Sequence, residues 1–193
     1  MALRLILASS SRYRAQLLAR LGVEFETVTP NVDERRLTTE SAREATLRLA
    51  RAKAQAVASR YEGALVVGSD QLAELDGEAL GKPGTEMAAL AQLQRLAGRT
   101  VNFHTGVCLW AGGGHRVQLD SVRYEVSLRK LSPEAIQRYV AREAPLDCAG
   151  SFRSEGLGIA LFERMAGDDP TALIGLPLIR LVAMLEREGL QIP

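Results

Sequence analysis

From Leu3 to Ala8 the chain is apolar at every position but Arg4, and so unbroken a run marks a strand covered on both faces. Three serines follow. From Arg14 to Leu21 apolar residues then recur at helical spacing through Leu17, Leu18 and Leu21, and Gly22 supplies a C-terminal stop. Strand, polar loop and helix form the opening unit, and the rest of the chain continues it as a mixed α/β pattern.

Ser41-Ala-Arg-Glu44 is a capping box, and it predicts a helix running to about Tyr61 with Leu47, Ala50, Ala54, Val57 and Tyr61 as its apolar stripe. Lys53 falls on the edge of that stripe. Ala64 to Val67 reads as a second buried strand ending in Gly68-Ser-Asp-Gln71, which places Asp70 at a strand end. Leu72 to Leu75 meets the hairpin dipeptide Asp76-Gly77, with a return strand towards Gly81-Lys82-Pro83. Thr85 caps a third helix ending at Gly98; Thr100–Trp110 and Arg116–Leu128 are strands around Gly112-Gly113-Gly114; Ser132-Pro133 starts a fourth helix. Ile159 to Met165 is a late strand, and Pro177 to Glu188 a closing amphipathic helix.

At 193 residues, 47% of them hydrophobic, one domain spanning 1–193 is expected, without repeat or linker. A formal net charge of +1 with acids and bases interspersed speaks against polynucleotide binding, so an anionic ligand needs a local cluster. Nowhere do about 18 consecutive apolar residues occur, and no cleavable leader is visible, so no membrane partner and a cytoplasmic location are expected. Cys108 and Cys148 lack a C-x-x-C spacing and read as reduced structural thiols; His104 and His115 have no second His or Cys at ligand spacing and read as structural too.

Ser9-Ser10-Ser11-Arg12-Tyr13-Arg14, between a buried strand and a helix start, offers hydroxyls, free amides and guanidinium groups to an anion. Read alone, it is equally a serine cap with two solvated arginines. Asp33-Glu34 in a polar loop can ligate magnesium through oxygen or simply be solvated. Asp70, amid so much hydrophobic sequence, needs a partner. Lys53 and Lys82 suit phosphate charge, and Glu34 and Asp70 suit a metal. Together they fit hydrolysis at a phosphate ester, in which cations stabilise the leaving oxygens and a carboxylate orients or deprotonates water. Residue type alone leaves Asp70 open as base or as metal ligand.

These segments resemble the Maf-like nucleotide pyrophosphatases almost from end to end. LILASSSRYRAQLL is similar to the family's Ser-x-Ser-x-x-Arg opening, with Ser9 and Arg14 in it; NVDE carries Glu34, LARAKA Lys53, GSDQ Asp70 and GKP Lys82, and AGSFRSEGLG and IGLPL complete the series in order. The resemblance implies an α/β fold of the inosine-triphosphatase-like kind, a mixed elongated sheet flanked by helices with two lobes around a nucleotide cleft. It also implies a homodimer, a divalent cation (magnesium, manganese or cobalt) and Asp70 as proton acceptor for water attacking the α-phosphorus of a nucleoside triphosphate.

Tyr13, Gln71 and Glu155 resemble the branch that hydrolyses 7-methyl-GTP; the branch acting on dTTP and UTP tends to have Arg, Thr and Gln there. Physical chemistry agrees. A 7-methylated guanine is a cation that an aromatic face such as Tyr13 attracts with about 0.5 to 2 kcal/mol. Glu155, acceptor-only when ionised, suits guanine's ring N–H and exocyclic amine, whereas Gln71 serves acceptors or donors. The expected products are 7-methyl-GMP and pyrophosphate. The alternatives are a pyrophosphatase for dTTP, UTP or other modified nucleotides, and a non-enzymatic nucleotide-binding regulator of septum formation.

Overall fold

A computed structural model describes residues 3–111, 113 and 115–192. Of the turn expected at Gly112-Gly113-Gly114, all but Gly113 lies outside the described residues. The elements in chain order are β1 (Leu5–Ala8), α1 (Arg12–Ala19), β2 (Glu26–Val28), α2 (Ala42–Ala58), β3 (Leu65–Leu75), β4 (Glu78–Leu80), α3 (Glu86–Leu96), β5 (Thr100–Ala111), β6 (Arg116–Leu128), α4 (Pro133–Glu143), β7 (Phe162–Ala166), α5 (Pro170–Ile174) and α6 (Leu178–Arg187). The strands join one mixed sheet in the order β2-β1-β3-β5-β6-β7, with β4 paired to β3. β1 runs parallel to both β2 and β3, and β3–β4 and β6–β7 are antiparallel.

The chain divides into two compact units, one of residues 1–71, 104–122 and 169–193, the other of residues 72–103 and 123–168. In the first unit the expected double cover of β1 is present. Leu5 and Leu7 pack with Leu17, Leu18, Leu65, Val67, Leu181 and Leu185, while Ile6 and Ala8 pack with Ala50, Ala54, Val57 and Val66. Alternate residues of one strand thus feed two separate cores, which is why the run shows no polar period. On the second face α2 lies against the sheet backbone itself. A Cβ on Gly68 of β3 would stand 2.2 Å from the Ala50 carbonyl oxygen, and one on Gly106 of β5 2.4 Å from that of Thr46.

In the second unit Asp76 and Gly77, with φ of 51° and 81°, make the β3–β4 hairpin, as their dipeptide predicts. Phe152 packs edge-on against Phe103 and Phe162, with ring centroids 5.5 and 4.8 Å away.

Most helix starts fall where their caps predict. Ser41 and Glu44 form the reciprocal capping box, and Thr85 and Ser132 cap α3 and α4. Three expectations change. β3 does not stop at the Gly68 loop but runs to Leu75, so Asp70 lies inside a strand. The late strand starts at Phe162, because Leu157–Leu161 coils into a 3-10 turn, and α1 starts at Arg12, with Ser11 as its cap. β2 and α5 carry too few residues for a periodic pattern.

Candidate active site

Lys53 and Asp70 meet because α2 lies directly on Gly68 of β3. Gly68 and Asp70 are two residues apart on one strand and face the same helix. The Lys53 ammonium, 4% exposed, bonds the Asp70 Oδ1 at 2.7 Å. The same nitrogen lies 2.9 Å from the Glu34 Oε1, on a side chain that is largely exposed. One buried cation therefore ties the strand carboxylate to the loop carboxylate. By residue type the lysine suits phosphate and the acids suit a metal; in the structure the three are joined to one another.

Arg14 stands on α1, its Nε donating to the Gly175 carbonyl at 2.8 Å and Nη1 3.5 Å from the Ser9 hydroxyl. Burial lowers its pKa below that of a free guanidinium, while the charges of Asp70 and Glu34 pull it back up. Ser9 is buried and accepts the Ser11 amide.

Gln71 follows Asp70 but projects to the opposite face of β3. Its Nε2 donates to the carbonyls of Ala172 at 2.8 Å and Leu173 at 2.9 Å and approaches the Thr105 hydroxyl at 3.2 Å. Carbonyls only accept, so the amide orientation is determined and Oε1 is what Gln71 presents elsewhere. Its two-way polarity, open on sequence alone, is resolved to an acceptor. Tyr13 already carries a cation on its ring, the Arg12 guanidinium 4.8 Å from the centroid.

Lys82 and Glu155 belong to the second unit, and both are exposed. Lys82 follows β4. Glu155 sits on a loop stapled to α4 by two groups that no motif pointed to, Glu143 and Tyr139: Arg153 pairs with Glu143 at 2.8 Å, Glu143 accepts the Leu157 amide, and the Tyr139 hydroxyl accepts the Arg153 amide. Gly150 and Ser151 both adopt positive φ there, and the buried Ser151 hydroxyl donates to Gln92.

Glu34 and Asp70 are oxygen donors held within reach of one cation, the donor type that suits a hard divalent ion. Among the described residues no group of three or more His, Cys, Asp or Glu converges. The pair fits an ion that completes its shell with water and phosphate, as magnesium commonly does. Burial pushes the Cys108 thiol up to about 12 and the Cys148 thiol up to about 11, so neither is a nucleophile near neutral pH. No helix among the described residues is long and apolar enough to cross a membrane.

The fold is similar to that of the Staphylococcus aureus Ham1 protein, with a TM-score of 0.53 at 15% identity over 96% of this chain and 99% of that one. A HAM1 protein from Coxiella burnetii also gives 0.53, at 14% identity over 96% and 100%. Among curated proteins, the 7-methyl-GTP pyrophosphatase of Pseudomonas aeruginosa is 51% identical over 98% of both chains. The proteins of that name from Aromatoleum aromaticum and Xanthomonas oryzae pv. oryzae are 53% and 54% identical, each over 98% of this chain and 98% and 99% of their own. The model of the Maf family, described as Maf-like protein, matches residues 4–188, and the chain belongs to that family.

Proposed function

We propose that this chain hydrolyses 7-methyl-GTP to 7-methyl-GMP and pyrophosphate, with Asp70 as proton acceptor and with Glu34 and Asp70 holding a divalent cation. The observation that carries the reading is the Glu34–Lys53–Asp70 bridge beside Arg14, in a chain about half identical to proteins named for that activity. A divalent ion at the two carboxylates would supply positive charge against the phosphate oxygens. The residues do the remainder. Lys53 bonds Oδ1 of Asp70, and Oδ2, which has no hydrogen-bond partner among the described residues, accepts the proton of the attacking water. As the water oxygen bonds the α-phosphorus, the bond to the bridging oxygen breaks and pyrophosphate leaves. Arg14, Ser9, Lys53 and Lys82 hold its charge.

Base selection falls to Tyr13, Gln71 and Glu155. Tyr13's ring supports a cation, since the Arg12 guanidinium already stacks there. Gln71 Oε1 and the Glu155 carboxylate offer acceptors, which match guanine's N–H groups and mismatch the carbonyls flanking the pyrimidine N–H.

A panel of triphosphates assayed by pyrophosphate release with magnesium, manganese or cobalt tests the reading. The expected kcat/KM is highest for 7-methyl-GTP, and Tyr13→Arg and Glu155→Gln each lower it by about tenfold while changing UTP turnover little. Equal turnover of UTP and 7-methyl-GTP by the unaltered protein would end the base-recognition argument.

A further inference from the structure

Asp169 is 2% exposed and lies outside every motif considered above, yet its carboxylate organises the turn on which Gln71 and Arg14 rest. Oδ1 accepts the Thr171 amide at 2.9 Å and the Thr171 hydroxyl, which caps α5. Oδ2 accepts the Ile179 amide at 2.8 Å, and the Thr171 hydroxyl in turn accepts the Leu178 amide at 2.8 Å. Those are the first two amides of α6, whose own cap position is Pro177 and makes no side-chain cap bond. One buried carboxylate therefore closes the starts of two helices and holds 169–179 as a single knot.

The outward side of that knot is a row of backbone carbonyls. Ala172 oxygen accepts Thr105 Oγ1 at 2.8 Å and Gln71 Nε2; Leu173 oxygen accepts Gln71 again; Gly175 oxygen accepts Arg14 Nε and faces the Ser69 hydroxyl at 2.8 Å. Gly175 ends α5 at φ 117°, and a Cβ there would lie 3.4 Å from Arg14 Nε, so the row stands close against the guanidinium. These carbonyls are what fixes Gln71 as an acceptor. If the knot loosens, the amide turns, and its N–H groups replace Oε1 on the ligand side.

We infer that Asp169 is a positioning residue: through the α5 carbonyls it sets the orientation of the Gln71 amide and of the Arg14 guanidinium, and thereby the choice of base. The positioning is a property of the free protein. Its consequence for substrate choice rests on the 7-methyl-GTP reading.

The test uses Asp169→Asn, which keeps shape and one acceptor oxygen but cannot accept on both sides. In the free, isotope-labelled protein, the Gln71 side-chain amide protons are expected to exchange slowly with solvent in the wild type and at least about tenfold faster in Asp169→Asn. In parallel, the kcat/KM ratio of 7-methyl-GTP over UTP is expected to fall about tenfold in Asp169→Asn and to stay unchanged when the same substitution is added to Gln71→Ala, because coupled residues are not additive. If Asp169→Asn does not fold, Thr171→Val takes its place, with Thr171→Ser expected to restore both readouts. Unaltered Gln71 exchange in the folded variant overturns the positioning role whatever the protein hydrolyses. A ratio that falls equally in the presence and absence of Gln71 overturns the route to base choice. Wild-type protein with slow Gln71 exchange, lost in the variant, but no turnover of any triphosphate would instead sink the function and leave the positioning standing.

Discussion

Asp70→Asn is expected to lower kcat/KM for 7-methyl-GTP about a thousandfold while leaving the protein folded, since a positioned base contributes about a hundredfold to ten-thousandfold. The substitution is close to isosteric. Asparagine keeps an oxygen that can accept from Lys53, and Glu34 keeps its own contact with the ammonium at 2.9 Å, so the buried cation is not orphaned. The stability cost should be about 2 kcal/mol, the scale of a hydrogen bond to a charged group, read from urea unfolding with an unchanged slope. Loss of activity with this small loss of stability separates chemistry from folding. A folded variant retaining more than a tenth of the wild-type rate would place the base elsewhere.

The largest effect on stability is expected from Gly68→Ala. The added methyl would stand 2.2 Å from the Ala50 carbonyl oxygen and 2.7 Å from the Ala54 amide nitrogen, both of them backbone. No side-chain rotation relieves that, and α2 has to lift off β3. Overpacking of this kind costs about 3 kcal/mol or more, and thermal unfolding should report it as a drop of several degrees or as failure to fold. The same movement carries Lys53 away from Asp70, so residual folded protein should also be poorly active. Gly81→Ala is the matched control, because a Cβ there meets nothing within 4 Å. An unaffected midpoint in Gly68→Ala would contradict the direct seating of helix on strand that sets the site.

Much of this architecture is legible in local sequence because local physics decides it. The apolar run ending at Ala8 becomes a doubly covered strand, Ser41 and Glu44 form their capping box, and Asp76-Gly77 turns a hairpin. What escapes depends on contacts distant in sequence. Gly68-Ser-Asp-Gln71 is composed of turn-type residues and so reads as the end of a strand. Gly68 is there for the approach of α2, and the one Ser69 hydroxyl lies 2.8 Å from the carbonyls of both Gly106 and Gly175, up to 106 positions away. Lys53 reads as a stripe-edge lysine because no periodicity reveals two carboxylates converging on it. Asp169 reads as one loop acid before a proline, since the amides it caps belong to two separate helices. Asp70 and Gln71 are adjacent in sequence, but strand alternation turns their side chains to opposite faces, one to α2 and the other to the α5 carbonyls.

Water attack at the α-phosphorus is tested by turnover of 7-methyl-GTP in water enriched in the heavy oxygen isotope. Mass analysis of the products should find the label in 7-methyl-GMP and none in pyrophosphate. Label in pyrophosphate, or 7-methyl-GDP with labelled phosphate as the products, would contradict it.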